Sequence, residues 1–180
     1  DTAEHHVTTR PTDIFVVNEV HALEERCKDI QHRLLRQKWR VHYSPAYYNH
    51  RSTAGKRTLS STGPVQTLAV SSGLLVGSAT NIQVSEPWGT LQQEAAIVPA
   101  SDHDYRFTQL KTKHLPVLVG GAYFHPSDTV QARLTLMSKI GRFLRAFALP
   151  FLMFGDFNLS PTELLKFGWV QALDADIIAP

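Results

Sequence analysis

Two short runs that are apolar almost from end to end, each closing on a carboxylate, limit what this chain can fold into. Asp13–Val20, DIFVVNEV, is broken at its far end by Asn18 and Glu19, and the apolar run Leu149–Phe154 leads straight into Gly155-Asp156-Phe157-Asn158. Runs of this length without polar alternation suit strands covered on both faces. Both are read here as buried strands whose polar groups emerge at the strand ends. Such strands need helices or a second sheet to cover them.

The cover is present in the sequence. In His21–Trp39, Leu23, Cys27, Ile30 and Leu34 recur at helical spacing with charges between them. After Pro126, Val130, Leu134, Met137, Ile140, Phe143 or Leu144, and Phe147 form one stripe opposite Arg133, Lys139, Arg142 and Arg145. Both are amphipathic helices by this pattern, the second with Ser127 or Asp128 as its N-cap. In SPTELLKFGW, Ser160 is an N-cap, Pro161 the first helical residue and Glu163 the capping-box partner of a third, short helix. Val41-His42-Tyr43, SGLLVGSA, EAAIVPAS, YRFTQLK and PVLVGGAYF are brief, β-leaning and separated by turn residues, so they are predicted strands. The stretch from Ser44 to Thr67, rich in Ser, Thr, Gly and basic residues, is predicted as a long surface loop. Mixed strands and helices, strands in the majority, give an α/β or α+β layered fold without internal repeats.

Composition bounds the function classes. With 180 residues, 43% hydrophobic and 19% charged, the chain has the balance of one globular core rather than of a disordered segment. Net charge is only +2, but basic residues gather in Arg33–Arg57 and again in Arg133–Arg145, which allows an anionic partner. The loop residues Arg51, Lys56 and Arg57, with Tyr47 or Tyr48 for stacking, suit a nucleic-acid backbone as well as they suit water. The lone Cys27 excludes an internal disulfide and any CxxC motif, and no apolar run approaches the roughly 18 residues of a membrane span. An intracellular, soluble protein is expected, with residues 1–12 as a flexible segment, His5 and His6 within it, and 13–180 as the folded domain.

Strand ends converge on a rim where polar groups stay within reach of water and ligand. Glu19 and Asp156 end two strands, and a third, PVLVGGAYF, ends in Tyr123-Phe124-His125-Pro126. A carboxylate at such a rim suits Mg²⁺, which takes one or two protein carboxylates and completes its shell with water and phosphate oxygens.

Taken in chain order, NEV after an apolar strand, GGAYFHPSD followed by an Arg-bearing helix, and GDFNLSPTEL resemble the endonuclease/exonuclease/phosphatase family, in particular its deoxyribonuclease-like, apurinic-endonuclease and retroelement-endonuclease branches. GW followed by LDADIIAP is a softer match to the retroelement branch. The resemblance implies a four-layer α/β sandwich of two packed mixed sheets with flanking helices, and Mg²⁺-dependent phosphodiester hydrolysis, with Mn²⁺ as a substitute and nucleic acid as the leading substrate. It implies Glu19 as metal ligand, and Tyr123, Asp156 and Asn158 as catalytic residues: Tyr123 on the scissile phosphate, Asp156 on the attacking water, and Asn158 donating to the phosphate or to Asp156. Arg133, His125 and Asn18 are implied substrate contacts, Asn18 standing where the family has Gln.

Some of the family pattern has no counterpart. No strand bearing a metal-site Asn precedes Asp13, and no C-terminal strands bear the family's Asp and Asp-His pair, so an incomplete sandwich is expected. A non-catalytic remnant of the same fold and a phosphoesterase acting on a lipid or inositol phosphate are the alternatives. Ser101-Asp102-His103-Asp104 imitates the family's terminal Ser-Asp-His motif but lies upstream of Tyr123, and chain order argues against a catalytic role for it.

Overall fold

The computed structural model describes residues 13–49, 59–60, 63–64, 69–85 and 101–178. Residues 1–12, the basic loop residues Arg51, Lys56 and Arg57, and all of EAAIVPAS except Ser101 lie outside that set.

Two sheets face one another. The first is antiparallel: β1 (Ile14–Val17) and β2 (Trp39–Ser44) flank a central β7 (Leu74–Ala79). The second runs β12 (Phe151–Asp156), β11 (Val117–Tyr123), β10 (Tyr105–Leu110), β8 (Val84–Ser85), with β9 (Ser101–Asp102) also paired to β10. Two short antiparallel ribbons are β3 (Tyr47–Asn49) with β6 (Ala69–Ser71) and β4 (Leu59–Ser60) with β5 (Gly63–Pro64); of these, β3, β4 and β5 lie in the stretch expected to be loop and β6 just beyond it. Helix α1 (Glu24–Arg36) follows β1, and α2 (Val130–Phe147) is the crossover that makes β11 and β12 parallel. Two short helices, α3 (Pro161–Lys166) and α4 (Trp169–Ala172), close the order. The layers are therefore helix, sheet, sheet, helix, as expected.

Each sheet packs its outer face on a helix. Leu34 of α1 joins Trp39, Val41 and Leu75 over the first sheet, with Phe15, Val17 and Ile30 against them. The larger cluster sets Leu136, Met137, Ile140, Phe143, Leu144 and Phe147 of α2 on Phe107, Leu118, Ala122 and Phe124, where Phe107 stacks on Phe143 at 5.2 Å. Along β11, successive side chains alternate faces. Leu118 and Ala122 meet α2, so Val119, Gly121 and Tyr123 face the other sheet. Gly121 is required there, because a Cβ would meet the side chains of Val16 at 2.6 Å and Leu74 at 2.9 Å. The sheets thus approach closely two residues before Tyr123.

Three local readings are corrected. The cap of α2 is Thr129, whose hydroxyl accepts from the amide of Ala132, not Ser127 or Asp128. Val130 is 61% exposed and Leu134 also faces solvent, because Leu136 and Gly141 take the buried stripe in their place. The final strand is not buried on both faces: β12 is the outermost strand of its sheet, and Leu152 and Phe154 are each 52% exposed. Likewise β1, at the edge of the other sheet, is half-buried. The capping box at α3 is present as expected, with Ser160 and Glu163 bonded reciprocally.

Candidate active site

The rim is built around Tyr123. The chain leaves β1 through Asn18 and Glu19, and Glu19 has φ 53°, a left-handed backbone that non-glycine residues adopt only when their surroundings impose it. What imposes it is the turn before β7. Val20 N–H donates to Gly73 O at 3.0 Å and His21 N–H to Ser72 O at 3.1 Å. Glu19 itself stays exposed, with His21 Nε2 4.0 Å from its carboxylate.

Tyr123 ends β11 on the inner face, 3% exposed, with the Glu19 carboxylate of the opposite sheet near enough to act on its phenol. Burial pushes the phenol pKa well above its ordinary value. The Glu19 carboxylate and the negative charges of Asp156 and Asp104 push it further the same way. At neutral pH Tyr123 is therefore a proton donor, and an acid-lined one.

Asp156 stands beside Tyr123 because β12 pairs with β11 in parallel, residue for residue, up to Tyr123 opposite Asp156. Phe124 N–H donates to Asp156 O at 2.9 Å and continues the ladder one residue past the strand. Beyond Asp156 the chain turns sharply: Asn158 N–H donates to Asp156 Oδ1 at 3.1 Å, Asn158 has φ 45°, and its Nδ2 donates to Phe124 O at 2.8 Å. This is an Asx-type turn, the local geometry Asp and Asn favour. Asn158 thus serves Asp156 through its backbone and anchors the turn with its side chain.

The remaining expected residues divide. His125 lies against Tyr123, ring centroids 6.1 Å apart and nearly perpendicular. Its Nδ1 accepts from the amide of Ser127 at 3.2 Å and lies 2.7 Å from the Ser127 hydroxyl, so the neutral ring carries its proton on Nε2. Arg133 donates from Nη2 to Pro126 O at 3.1 Å and braces the loop that carries His125. Asn18 is turned inward: its Oδ1 is buried with no partner and lies 3.0 Å from where a Cβ on Gly121 would sit.

Two further residues belong to the rim. Asp104, half-buried in the hairpin between β9 and β10, accepts from Tyr123 N–H through its carbonyl at 2.8 Å. Burial raises its carboxyl pKa, the charges of Asp102 and Asp128 add to the rise, and the Ser72 hydroxyl and His103 oppose it. Ser72 donates from Oγ to His103 O at 2.7 Å. The sequence signal for Ser72 was its place in a Ser-Gly turn before an apolar strand. Asp104 had been set aside with its motif on chain order. The rest of that motif is occupied structurally: Asp102 pairs with Lys139 at 2.9 Å, and the His103 ring lies 3.0 Å from Pro45 O and packs on Tyr47. A separate cleft of about 570 Å³, lined by Glu24, His42, Tyr43, His103 and Arg106 among others, includes none of Glu19, Tyr123 or Asp156.

Among the described residues no group of three or more His, Cys, Asp or Glu forms a ready metal cage. The exposed Glu19 carboxylate offers oxygen alone, which suits a hard divalent cation such as Mg²⁺ or Mn²⁺ drawing the rest of its shell from water and phosphate, and does not suit a closed Zn²⁺ site of nitrogen and sulfur.

No protein-family model and no curated protein sequence matches the chain. Solved structures do. The endonuclease domain of TRAS1, a telomere-specific non-LTR retrotransposon, superposes with a TM-score of 0.54 at 14% identity over 94% of this chain and 62% of its own. The human Nocturnin catalytic domain, solved with a bound sulfate anion, gives 0.55 at 12% identity over 93% and 59%. Beta toxin from Staphylococcus aureus gives 0.52 at 12% over 96% and 63%. The chain spans about three fifths of the length of these structures. At such identities the likeness establishes the fold: two packed sheets between helices, the architecture of endonuclease/exonuclease/phosphatase proteins.

Proposed function

We propose that the chain carries the hydrolytic rim of a divalent-metal-assisted phosphodiesterase whose substrate is a nucleic acid. The observation that carries this reading is the contact across the sheets. One buried phenol feels the Glu19 carboxylate of one sheet and stands in register with Asp156 of the other. That arrangement supports a hydroxyl donor and two carboxylates serving one phosphodiester, a set of groups suited to in-line attack by water.

Glu19 would hold the cation. A bound Mg²⁺ supplies charge for the phosphate oxygens. Tyr123, kept protonated by its surroundings, donates toward the phosphate once Glu19 is engaged elsewhere. Asp156 accepts the proton of the attacking water, and the Asx turn through Asn158 fixes its carboxylate. His125, with its proton on Nε2, offers a second donor next to Tyr123. A nucleic-acid substrate is supported by the basic residues gathered along the chain and by the TRAS1 endonuclease likeness in fold.

The test is Mg²⁺-dependent nicking of supercoiled plasmid and cleavage of an abasic-site duplex by the chain and by Asp156→Ala. Removing a positioned base should lower turnover by about 10²–10⁴-fold. Turnover equal in both proteins, or none in either, would overturn the hydrolytic reading and favour a binding module built on the same fold. Turnover on phosphoinositide but not on nucleic acid would reassign the substrate.

A further inference from the structure

Glu19 follows a strand of one sheet while Tyr123 and Asp156 end strands of the other, and hydrogen bonds cross between the sheets from Ser44 Oγ to Tyr105 O at 3.3 Å, from Arg106 Nη1 to Tyr43 O at 2.9 Å and from Ser72 Oγ to His103 O at 2.7 Å. We propose that the last of these makes Ser72 a positioning residue, remote from the reacting atoms, that clamps the Glu19 loop to the Tyr123–Asp156 edge. The role in turnover rests on the hydrolase reading above; the clamp itself does not.

The backbone singles the place out. Ser72 has φ 64° and Gly73 φ 92°, and the loop they hold contains Glu19 at 53° and His21 at 49°. Three of these four left-handed residues are not glycine, and strain of this kind persists only where neighbours over-determine it. At Gly73 a side chain would be strained by φ 92° and tight against Ala46, 3.1 Å from its N and 3.2 Å from its Cβ. Ser72 is a different case. It is 1% exposed and no glycine, so its side chain is retained at a position where glycine would be easier.

That side chain makes the bridge. On the first sheet, the main-chain carbonyls of Ser72 and Gly73 receive His21 and Val20, the two residues after Glu19. On the second, Ser72 Oγ donates to His103 O at 2.7 Å, the residue before Asp104. Asp104 O in turn receives Tyr123 N–H at 2.8 Å, and Tyr123 pairs with Asp156. Hydrogen bonds and the short backbone steps between them therefore link the Glu19 loop to Asp156, and this link crosses between the sheets at a buried hydroxyl.

The experiment uses Ser72→Ala, which deletes the hydroxyl, and Ser72→Gly, which deletes it while relieving the left-handed backbone. Amide hydrogen exchange is read first. The amides of Val20, His21 and Tyr123 should exchange roughly tenfold faster in both variants, while those of Ile140 and Phe143 in α2 stay as they are. Cleavage of a duplex substrate is read second. kcat should fall roughly 10- to 100-fold with KM within about twofold, because geometry is lost and substrate contacts are not. A merely structural serine predicts the opposite for Ser72→Gly: a protein as stable as wild type or more so, with kcat unchanged. Unchanged exchange in both variants overturns the clamp. Faster exchange with unchanged kcat overturns the positioning role. A wild-type chain without turnover removes the hydrolase reading, and exchange alone then decides the clamp.

Discussion

The two sheets each carry part of the candidate site, and they are held in different ways. Tyr123 and Asp156 end strands backed by α2, where Phe107, Phe124, Met137, Ile140 and Phe143 are all but inaccessible to solvent. Glu19 follows a four-residue edge strand whose every residue is half-buried, over a cluster with only Leu34, Trp39, Val41 and Leu75 fully inside. Apolar burial at about 25 cal/mol per Å² scales with area removed from water, so the second sheet is the better anchored. The position of Glu19 depends instead on the directional bonds that Val20 and His21, just after it, donate to the Gly73 and Ser72 carbonyls. One half of the rim is set by packing and the other by hydrogen bonds laid over it.

Removing packing should therefore act on the two halves unequally. Phe143→Ala, at the centre of the larger cluster, should cost about 3–5 kcal/mol in urea denaturation and destabilise the whole domain. Leu75→Ala in the smaller cluster should cost about 2–3 kcal/mol, toward the low end of such truncations because its surroundings are looser. Its distinctive effect should be early exchange at Val20 and His21 with α2 still protected. Equal loss of protection in both regions would show that the sheets unfold as one unit and remove the contrast.

Smaller changes test the turns. Ser160→Ala breaks the capping box of α3 and should cost about 1 kcal/mol, with no change in the exchange of Tyr123. Asp104→Asn is the smallest and has a sign. The folded state raises the Asp104 pKa, so ionising it opposes folding once pH exceeds its ordinary value of about 3.9. The variant should melt slightly higher than wild type at pH 7.5, with the difference vanishing by pH 3.5. A variant that melts lower at pH 7.5 would mean that the ionised carboxylate is held favourably by Ser72.

Much of this was legible in the sequence, and the failures have physical causes. Continuous apolar runs gave the strands, 3.6-residue periodicity gave α1 and α2, and Ser160-Pro161 with Glu163 gave the third helix start, because each is a local rule acting within a few residues. The meeting of Glu19, Tyr123 and Asp156 was expected only from a shared position at strand ends and from a resemblance in order along the chain. Missed were the features that depend on who sits opposite. Leu152 and Phe154 read as core but lie on an outermost strand, and Val130 reads as core but sits on the open side of the first turn of α2. Chain order says nothing of the hairpin that brings the Asp104 carbonyl onto the Tyr123 amide, a contact between an upstream turn and a downstream strand end. At Ser72 the Ser-Gly pair signals a turn and nothing more. Its role comes from a long-range bond to His103 O, and no local pattern encodes that.

The central claim is that Glu19 and Asp156 belong to one site although they come from different sheets. The direct measurement is an NMR titration with Mn²⁺, following paramagnetic broadening of backbone amides. Glu19, Val20, Tyr123 and Asp156 to Asn158 should broaden together at the lowest Mn²⁺ concentrations, and Glu19→Gln should abolish the effect at Asp156 as well as at its own position. Broadening that begins at Asp156 and leaves Glu19 sharp, or that centres on His103 or His125, would contradict it.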